Sequence, residues 1–353
     1  MTATLDRTKF PATRVPHRLT SALFVVALLV AAYTGFRLPG AWVATLDAVS
    51  VTDGFQRRFL VGTLLHPFAV LAGYDYRVFA AAAFAVLAAL LAVLVVAFVR
   101  TRQESRRLLL IAWLLLPSGG FLFHDVGYFE QVLYLLLFAA LWFLDRARPV
   151  AATTLMTAAV LTHEIAALTV LPIFALVLLR RFPLRRAALL IAPPAVVELV
   201  VLAIPAAEPG AIDRLLNAMR EANFPPRVDA LALFGRTQSE SWQLYSITGV
   251  LLFLIPVAVV VVTGFLLQQG TLRASAVQVA AIAAPGILAF AGWDGARWAF
   301  LLVANFAVVL WLWLENHDLR PVPLIVTLLL LTHIPLPYFD GYAPRELTWG
   351  ASR

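Results

Sequence analysis

The chain contains no cysteine, a single lysine (Lys9) and few charged residues of either sign. The absence of cysteine excludes disulfides, a thiol nucleophile and a cysteine-ligated metal. Charged residues make up 13% of the 353 positions, whereas a soluble globular domain carries about 25%. A water-soluble fold is therefore excluded. We also find no internal repeat and no low-complexity tract, which predicts one transmembrane domain over residues 1–353.

Long apolar runs take the place of charge. Apolar residues account for 62% of the chain, the mean hydropathy is +0.87, and several runs reach the roughly 20 residues that cross a bilayer. These features predict an all-α polytopic membrane protein. A basic segment precedes the apolar run 19–36, and no convincing small-residue cleavage site follows that run. This pattern predicts an uncleaved signal-anchor. Further spans are predicted near 78–99, 108–123, 129–145, 187–205, 244–267, 276–292, 298–314 and 322–338.

Arginine-rich loops determine the predicted topology, because positive charge normally stays in the cytoplasm. The run 150–179 has arginines on both flanks, so we predict a helical hairpin with His163-Glu164 at its apex; one tilted span is the alternative. The same rule predicts that 57–74 is an interfacial or re-entrant helix and not a full span. The sequence thus predicts about 11 membrane segments in a bacterial inner membrane, with a cytoplasmic N-terminus. The larger exterior loops are 38–77 and 206–243.

The formal net charge of +7 and the pI near 10.2 are values that also occur in nucleic-acid-binding proteins. Here the basic residues lie in short loops between apolar runs, where they set membrane topology. We therefore expect membrane lipids, and no nucleic acid, as partners.

Arg57-Arg58 follows the first span on the predicted outer side, where positive charge is normally avoided. Two arginines there predict a nearby anion, such as a lipid phosphate or pyrophosphate; contact with anionic lipid head groups is the alternative. Asp53 and Gln56 fit a helix capping box. That would put both arginines in the first helical turns, where the dipole disfavours cations unless an anion binds. Asp53 is then either a general base or a plain N-cap.

Other ionisable residues share the predicted outer face, and such groups beside a bilayer usually mark a functional site. Their convergence predicts a single outward-facing site. We predict catalytic roles for Asp53, His163 and Glu164, and binding of substrate or phosphate by Arg57, Arg58, His124, Asp125, Glu130, Asp294 and Arg297.

His163-Glu164 needs partners, since unpaired burial in an apolar run costs several kcal/mol. No second histidine follows four residues later, so this is not a zincin helix. The pair is expected to orient a base, to contribute to a divalent-cation site, or to pack as a satisfied polar pair. Asp294 and Arg297 are expected either to pair with each other or to act as a ligand and a phosphate contact. Glu198 lies within a span, either paired with an arginine or protonated.

The loop 206–243 contains an amphipathic stretch from Ala211 to Ala222, a polar turn and a second stretch from Leu231 to Tyr245. A helix lying on the membrane surface is the simplest interpretation. Alternatively, the loop binds a phosphate or a sugar acceptor through its arginines Arg214, Arg220, Arg227 and Arg236.

This plan resembles the GT-C class of integral-membrane glycosyltransferases, which use polyprenyl-phosphate-linked sugars. The similarity covers most of the chain: many spans, an acid (Asp53) and an interfacial helix in the first exterior loop, half-span hairpins, and a later amphipathic loop. The resemblance implies that Asp53 is the catalytic base or a metal ligand and that Arg57 and Arg58 contact the lipid phosphate. Many members have paired acids in that loop, whereas here Gly54 follows Asp53. O-antigen polymerases and ligases share the outward site and its exterior arginines.

The expected function is sugar transfer from a polyprenyl-phosphate or -diphosphate donor to a glycan or lipid acceptor, in cell-envelope glycan assembly. Asp53 or Glu164 would accept the proton of the acceptor hydroxyl, while Arg57, Arg58 and Arg297 would stabilise the departing phosphate. The main alternative is a secondary transporter or flippase of a lipid-linked or anionic substrate, which predicts ionisable residues near the midplane and related halves. A lipid phosphatase and a structural assembly partner are further alternatives.

Overall fold

A computed structural model describes residues 17–115, 122–123, 126–236, 272–292 and 294–317, and the isolated positions 239, 240, 243 and 258. Within these ranges the protein is helical, with one isolated backbone bridge between Phe55 and Ala207. The helices are α1 (His17–Gly35), α2 (Ala41–Asp47), α3 (Leu60–Leu71), α4 (Tyr76–Arg100), α5 (Glu104–Leu115), α6 (Phe129–Asp145), α7 (Pro149–Thr162), α8 (Val170–Arg181), α9 (Leu184–Ala203), α10 (Ala211–Ala218), α11 (Val228–Leu231), α12 (Leu272–Ala283), α13 (Leu288–Ala291) and α14 (Gly295–Leu314).

Four helices of the described residues, α1, α4, α9 and α14, are long and apolar enough to cross a membrane. The 25 residues of α4 extend about 38 Å, more than the roughly 30 Å hydrocarbon core. Shorter apolar helices are α3, α7 and the stretch Ala276–Phe290. The all-helical fold is thus confirmed for the described residues, and these four helices are compatible with a membrane protein, but the count of eleven spans is not confirmed. The predicted spans 244–267 and 322–338 lie outside the described residues.

The central helix of the bundle is α14. In the most apolar 18-residue stretch of α14, 83% of the residues are buried, compared with 22% in the same stretch of α9 and 33% in that of α4. A helix that is apolar all round and buried lies inside a bundle. The exposed leucines and valines of α9, such as Leu189, Val196 and Leu199, therefore lie on the outside of the bundle, where a bilayer would contact them.

The apolar run 150–179 forms two short helices, α7 and α8, joined at His163-Glu164. Their 14 and 12 residues extend about 21 and 18 Å, less than the hydrocarbon core. His163 ends α7 in extended backbone (φ −163°, ψ 132°). Thr153, early in α7, donates to the carbonyl of Leu190, early in α9 (3.1 Å), and α9 follows α8 directly. The chain therefore reverses at His163-Glu164, as the hairpin interpretation predicts, and does not continue as one tilted span.

The two predicted exterior loops pack against each other and form one lobe, which we define as residues 38–75 and 205–236. Gln56 donates its backbone N–H to Ala206 (2.9 Å) and Glu208 donates to Gly54 (2.8 Å). An apolar cluster that includes Phe55, Leu215 and Met219 fills the space between the segments. The amphipathic helix α10 thus buries its apolar face against the protein. The interpretation that this face lies on the membrane surface is wrong, and the helix ends at Ala218 rather than Ala222.

The predicted capping box at Asp53 is also wrong. Asp53 ends a 3₁₀ turn, Val51–Asp53, and Gly54 follows with a positive φ of 92°. The helix of this segment begins only at Leu60, so Arg57 and Arg58 lie in a strap that precedes it. With 12 residues α3 is too short to span a bilayer, and its exposed apolar residues Leu64, Phe68 and Leu71 are compatible with an interfacial position.

Arginines gather at the end of the bundle opposite the lobe. Arg181, at the end of α8, pairs with Asp145 at the end of α6 (2.6 Å), and Gln103, after α4, donates to His317, after α14 (2.9 Å). These contacts place one set of helix ends together. The arginines of these ends are Arg100, Arg102, Arg106, Arg107, Arg146, Arg148, Arg180, Arg181, Arg185 and Arg186.

Buried Asn305 joins four elements beneath the lobe. Its amide donates to the carbonyls of Thr169 and Ala281 (2.9 Å each) and accepts from the Tyr134 hydroxyl (2.6 Å). Replacing Asn305 with leucine removes all three hydrogen bonds and leaves the Tyr134 hydroxyl only its longer contact with the carbonyl of Leu301 (3.3 Å), so we expect a loss of about 1–3 kcal/mol in the free energy of unfolding. Denaturant unfolding in detergent measures this. Asn217→Leu, at an exposed position on α10, is the control, and an equal effect of both substitutions would refute the role of the network.

Candidate functional site

A cavity of about 790 Å³ lies between the lobe and the helix ends beneath it. Its volume is within the range of small-molecule binding sites. The walls come from the end of α2, the strap 57–58, the start of α6, the turn after α7, the end of α9, residues 233–236 and the region 288–298. Of the predicted site residues it brings together Arg57, Arg58, His163, Glu164, Asp294 and Arg297.

Arg57 caps the C-terminus of α9. Its guanidinium donates to the carbonyls of Val201 (3.0 Å), Leu202 (3.0 Å) and Ile204 (2.8 Å). These are the carbonyls that a helix leaves unpaired at its last turn, where the dipole also favours a cation. The guanidinium of Arg57 therefore has hydrogen-bond partners inside the protein, and its contact with a lipid anion stays a prediction.

Arg58 binds Glu164 across the cavity. Its Nε lies 3.0 and 3.1 Å from the two carboxylate oxygens, and its Nη2 also contacts Oε1. Such a bidentate pair is strong and directional. Arg58 adopts a left-handed backbone with φ of 56°, which costs a non-glycine residue free energy and commonly marks functional sites. The anion beside Arg58 in this structure is thus Glu164.

His163 is buried behind this ion pair. Its Nδ1 accepts the backbone N–H of Ile165 (3.3 Å) and lies 3.1 Å from a carboxylate oxygen of Glu164. Its ring packs edge-on against Phe129. An unprotonated Nδ1 caps the 3₁₀ turn, whereas a protonated Nδ1 would donate to Glu164; one nitrogen cannot do both at once. In either state His163 packs directly against Glu164, which makes it a positioning residue. Of the three predicted possibilities, the packed polar pair describes this geometry best.

Arg297 pairs with Glu130 rather than with Asp294. The guanidinium of Arg297 binds the fully buried carboxylate of Glu130. Asp294 accepts the backbone N–H of Arg297 (3.4 Å) and so caps the first turn of α14. The predicted ion pair between Asp294 and Arg297 is wrong. Arg297 lines the cavity, whereas Glu130 does not. Glu130 therefore acts by orienting Arg297.

Asp53 is not among the residues that line the cavity. It is buried within the lobe, where its backbone carbonyl accepts from Arg214 (2.9 Å). Burial raises the pKa of its carboxyl, while the charges of His66 and Arg214 lower it. The structure therefore separates Asp53 from the other predicted catalytic residues. His124 and Asp125 lie outside the described residues.

Asp47 and Glu198 also line the cavity, although the site prediction did not include them. Asp47 ends α2 and is 4% exposed. No donor pairs with its carboxylate in the part of the chain that the structure describes, and burial raises its pKa well above the usual value. Glu198 is 7% exposed, and its Oε2 has no hydrogen-bond partner among the described residues. An acid in an apolar span marks Glu198 in the sequence, but no comparable signal marks Asp47.

Arg236 is the free cation of the described cavity lining. It follows the 3₁₀ turn Ala232–Gly235, is exposed and lines the cavity, and its guanidinium has no partner among the described residues. In contrast, Arg214 and Arg227 bind Glu208 and Asp229 within the lobe. Of the four arginines in the predicted loop 206–243, Arg236 is thus the one placed to meet a cavity ligand.

The described part of the cavity walls offers no conventional set of metal ligands. In the described ranges no three His, Asp or Glu side chains are grouped so that they could hold a metal ion. The divalent-cation site considered for His163-Glu164 therefore has no third described ligand. Five aromatic residues also line the described walls: Trp42, Tyr128, Phe129, Phe234 and Trp298.

Comparison of the chain with protein-family models, curated proteins and solved structures found no match. A helical membrane fold alone does not identify an activity. The function is therefore inferred from the cavity and the chemistry of its side chains.

Proposed function

We propose that this protein is a membrane glycosyltransferase that uses a polyprenyl-phosphate or -diphosphate sugar donor and binds it in the cavity beneath the lobe. The arginine-rich opposite end would lie in the cytoplasm of a bacterial inner membrane, since positive charge favours that side. The lobe would then face outward, where a glycan or lipid acceptor reaches the cavity.

The observation that carries the proposal is an unpaired carboxylate and an unpaired guanidinium in the walls of one cavity. Arg236 has no described partner, and Asp47 is almost fully buried without one. Perturbed, unpaired ionisable groups in a cleft are typical of catalytic sites. An arginine available for an anion and a free carboxylate in one cavity suit a reaction in which a phosphate leaves while a proton is removed.

In the proposed step, the acceptor hydroxyl attacks the anomeric carbon of the lipid-linked sugar. The bond from that carbon to the phosphate oxygen breaks, and its electron pair stays on the phosphate. Asp47 takes the hydroxyl proton, a role for which its unpaired, buried carboxylate is better placed than Asp53. Arg236 binds the departing phosphate, whose charge increases in the transition state. Arg297 and Arg58 add positive charge from the other walls.

Glu164 has a different proposed role from Asp47. Its bidentate pairing with Arg58 favours the ionised carboxylate and makes it a weak base. We propose that Glu164 orients Arg58 and releases it when the donor phosphate enters. The aromatic walls offer flat apolar faces for the sugar ring.

Glu198 is the residue that favours the transporter alternative, because an unpaired acid in a membrane helix is typical of ion-coupled transport. However, Glu198 lies five residues before the end of α9 and faces the cavity at the lobe end. A transporter site is expected near the midplane. Its position therefore supports an enzyme site at the membrane boundary.

Substitution of Arg236 tests the proposal. Reconstituted protein is supplied with a membrane lipid extract as donor and acceptor source, and the released polyprenyl phosphate or diphosphate is measured by mass spectrometry. We expect Arg236→Gln to lower the rate about tenfold or more, because a hydrogen bond to a charged group contributes about 1.5–3 kcal/mol.

Arg220→Gln is the matched control, since Arg220 is an exposed arginine of the lobe that does not line the cavity. This variant should retain the wild-type rate. Equal rates for wild type and Arg236→Gln would remove Arg236 from the site. Uptake of substrate without any released polyprenyl phosphate would favour a transporter instead.

A further inference from the structure

The arginine-rich end of the bundle, opposite the lobe, carries more cations than acids. Its arginines share this end with three described acids: Glu104, Asp145 and Glu315. Asp145 binds Arg181 (2.6 Å), and the charge of Glu315 acts on Arg106 and Arg180. Other arginines of this end are therefore left without an ion pair in the part of the chain that the structure describes.

Three of these arginines lie at one edge, where α7 and α9 begin side by side. Arg148 precedes α7, and Arg185 and Arg186 lie in the first turn of α9. The hydrogen bond from Thr153 to Leu190 (3.1 Å) joins the two helices about one turn further in. The three arginines are exposed, and none of them pairs with an acid among the described residues. Three unneutralised cations therefore share this edge.

Exposed apolar side chains continue the same edge along the helices. Leu184 and Leu189 of α9 are 68% and 73% exposed, and Val150 of α7 is 72% exposed. Leu189 follows Arg185 by four positions and Arg186 by three, so it lies one turn deeper on the same face of α9. The edge thus combines cations at the helix ends with an apolar surface that a bilayer would contact.

We propose that this edge binds an anionic phospholipid, with its phosphate among Arg148, Arg185 and Arg186 and its acyl chains along the exposed face of α9. Three like charges at one edge repel each other, and a bound anion removes this repulsion. Guanidinium groups suit a phosphate because their N–H groups match two of its oxygens at once. In the proposed orientation the edge meets the cytoplasmic leaflet, whose anionic lipids attract basic segments. The inference does not depend on the chemistry of the cavity.

Lipid retention by the full-length protein tests this inference. Protein in detergent is equilibrated with equal amounts of phosphatidylglycerol and phosphatidylcholine that have the same acyl chains, and bound lipids are counted by native mass spectrometry. Wild type should retain the anionic lipid about tenfold or more over the neutral one. Arg185→Gln/Arg186→Gln should lose most of this preference, because each arginine contributes to the attraction. Arg148→Gln, which changes the other helix, should also lower it.

The matched control is Arg77→Gln/Arg220→Gln, which removes two exposed arginines at the opposite end and should keep the wild-type preference. Equal retention of both lipids by wild type would overturn the inference, as would a preference that survives in Arg185→Gln/Arg186→Gln. An equal loss in the control would show an effect of net charge and no site. A preference unchanged in Arg148→Gln would overturn a site shared by α7 and α9.

A soluble competitor separates a lipid site from a site for a free anion. Glycerol 1-phosphate carries the phosphate without acyl chains, so it should not displace phosphatidylglycerol from wild type. Displacement at equal concentration would show that the apolar face of α9 contributes nothing, and would overturn the phospholipid as the ligand.

Discussion

Replacing Asp47 with asparagine should reduce sugar transfer by a factor of about 10²–10⁴ and leave the folded protein at least as stable as the wild type. Asparagine keeps the shape of the side chain but cannot accept the proton of the acceptor hydroxyl. It also removes a buried carboxylate that has no described partner, and so removes its desolvation cost. A merely structural acid would show the opposite pattern, with lower stability.

The pH dependence of stability gives an independent readout for Asp47. Burial raises its pKa in the folded state well above the value of 3.8 expected in the unfolded chain. The folded state therefore binds the proton more tightly, and its contribution to stability is present below about pH 4. This contribution is lost as the pH rises towards the folded pKa, so wild type should lose stability relative to Asp47→Asn over this range.

Both properties can be measured with the same protein preparations. Transfer is followed by release of polyprenyl phosphate, and stability by denaturant unfolding at several pH values. Asp213→Asn, which changes an exposed acid on α10, is the control for loss of a carboxylate. Transfer at the wild-type rate in Asp47→Asn would show that another group accepts the proton.

Breaking the Glu130–Arg297 pair should have the largest effect on stability. Glu130 is 0% exposed and Arg297 only 19%. Removing Arg297 leaves the carboxylate of Glu130 buried and uncompensated, which costs about 3–5 kcal/mol, whereas Arg297 without Glu130 still has the charge of Asp294 nearby. We therefore expect Arg297→Leu to lower the free energy of unfolding by this amount and Glu130→Leu to lower it by less.

The double variant Glu130→Leu/Arg297→Leu should recover much of the loss, because neither charge then remains buried. Unfolding of the four proteins in one detergent gives the coupling energy directly. Losses that simply add in the double variant would show that the two side chains act independently. The double variant should still transfer sugar poorly, since Arg297 lines the cavity.

The sequence predicted those parts of the fold that depend on local composition. Apolar runs identified the four long helices, and the arginines flanking 150–179 indicated the reversal at His163-Glu164. The packing of α10 against Phe55 was not predictable, because an amphipathic helix has the same pattern whether it faces a membrane or another part of the protein.

The pairing of charges in the site was the least predictable feature. Arg58 and Glu164 are 106 positions apart, and Glu130 and Arg297 are 167 apart. The closer partner, Asp294, fitted helical spacing but is used as a helix cap. Sequence spacing tests only local pairs, so the choice between partners depended on tertiary packing. The same packing turned Arg57 towards the carbonyls of α9.

Native mass spectrometry of the purified protein tests most directly whether this cavity binds a lipid-linked phosphate. Wild type and Arg220→Gln should retain a bound polyprenyl phosphate or polyprenyl-phosphate-linked sugar. Arg236→Gln should retain much less, because this variant lacks the guanidinium that we propose binds the phosphate. Wild-type protein without any bound polyprenyl phosphate, or equal occupancy in both variants, would contradict the account.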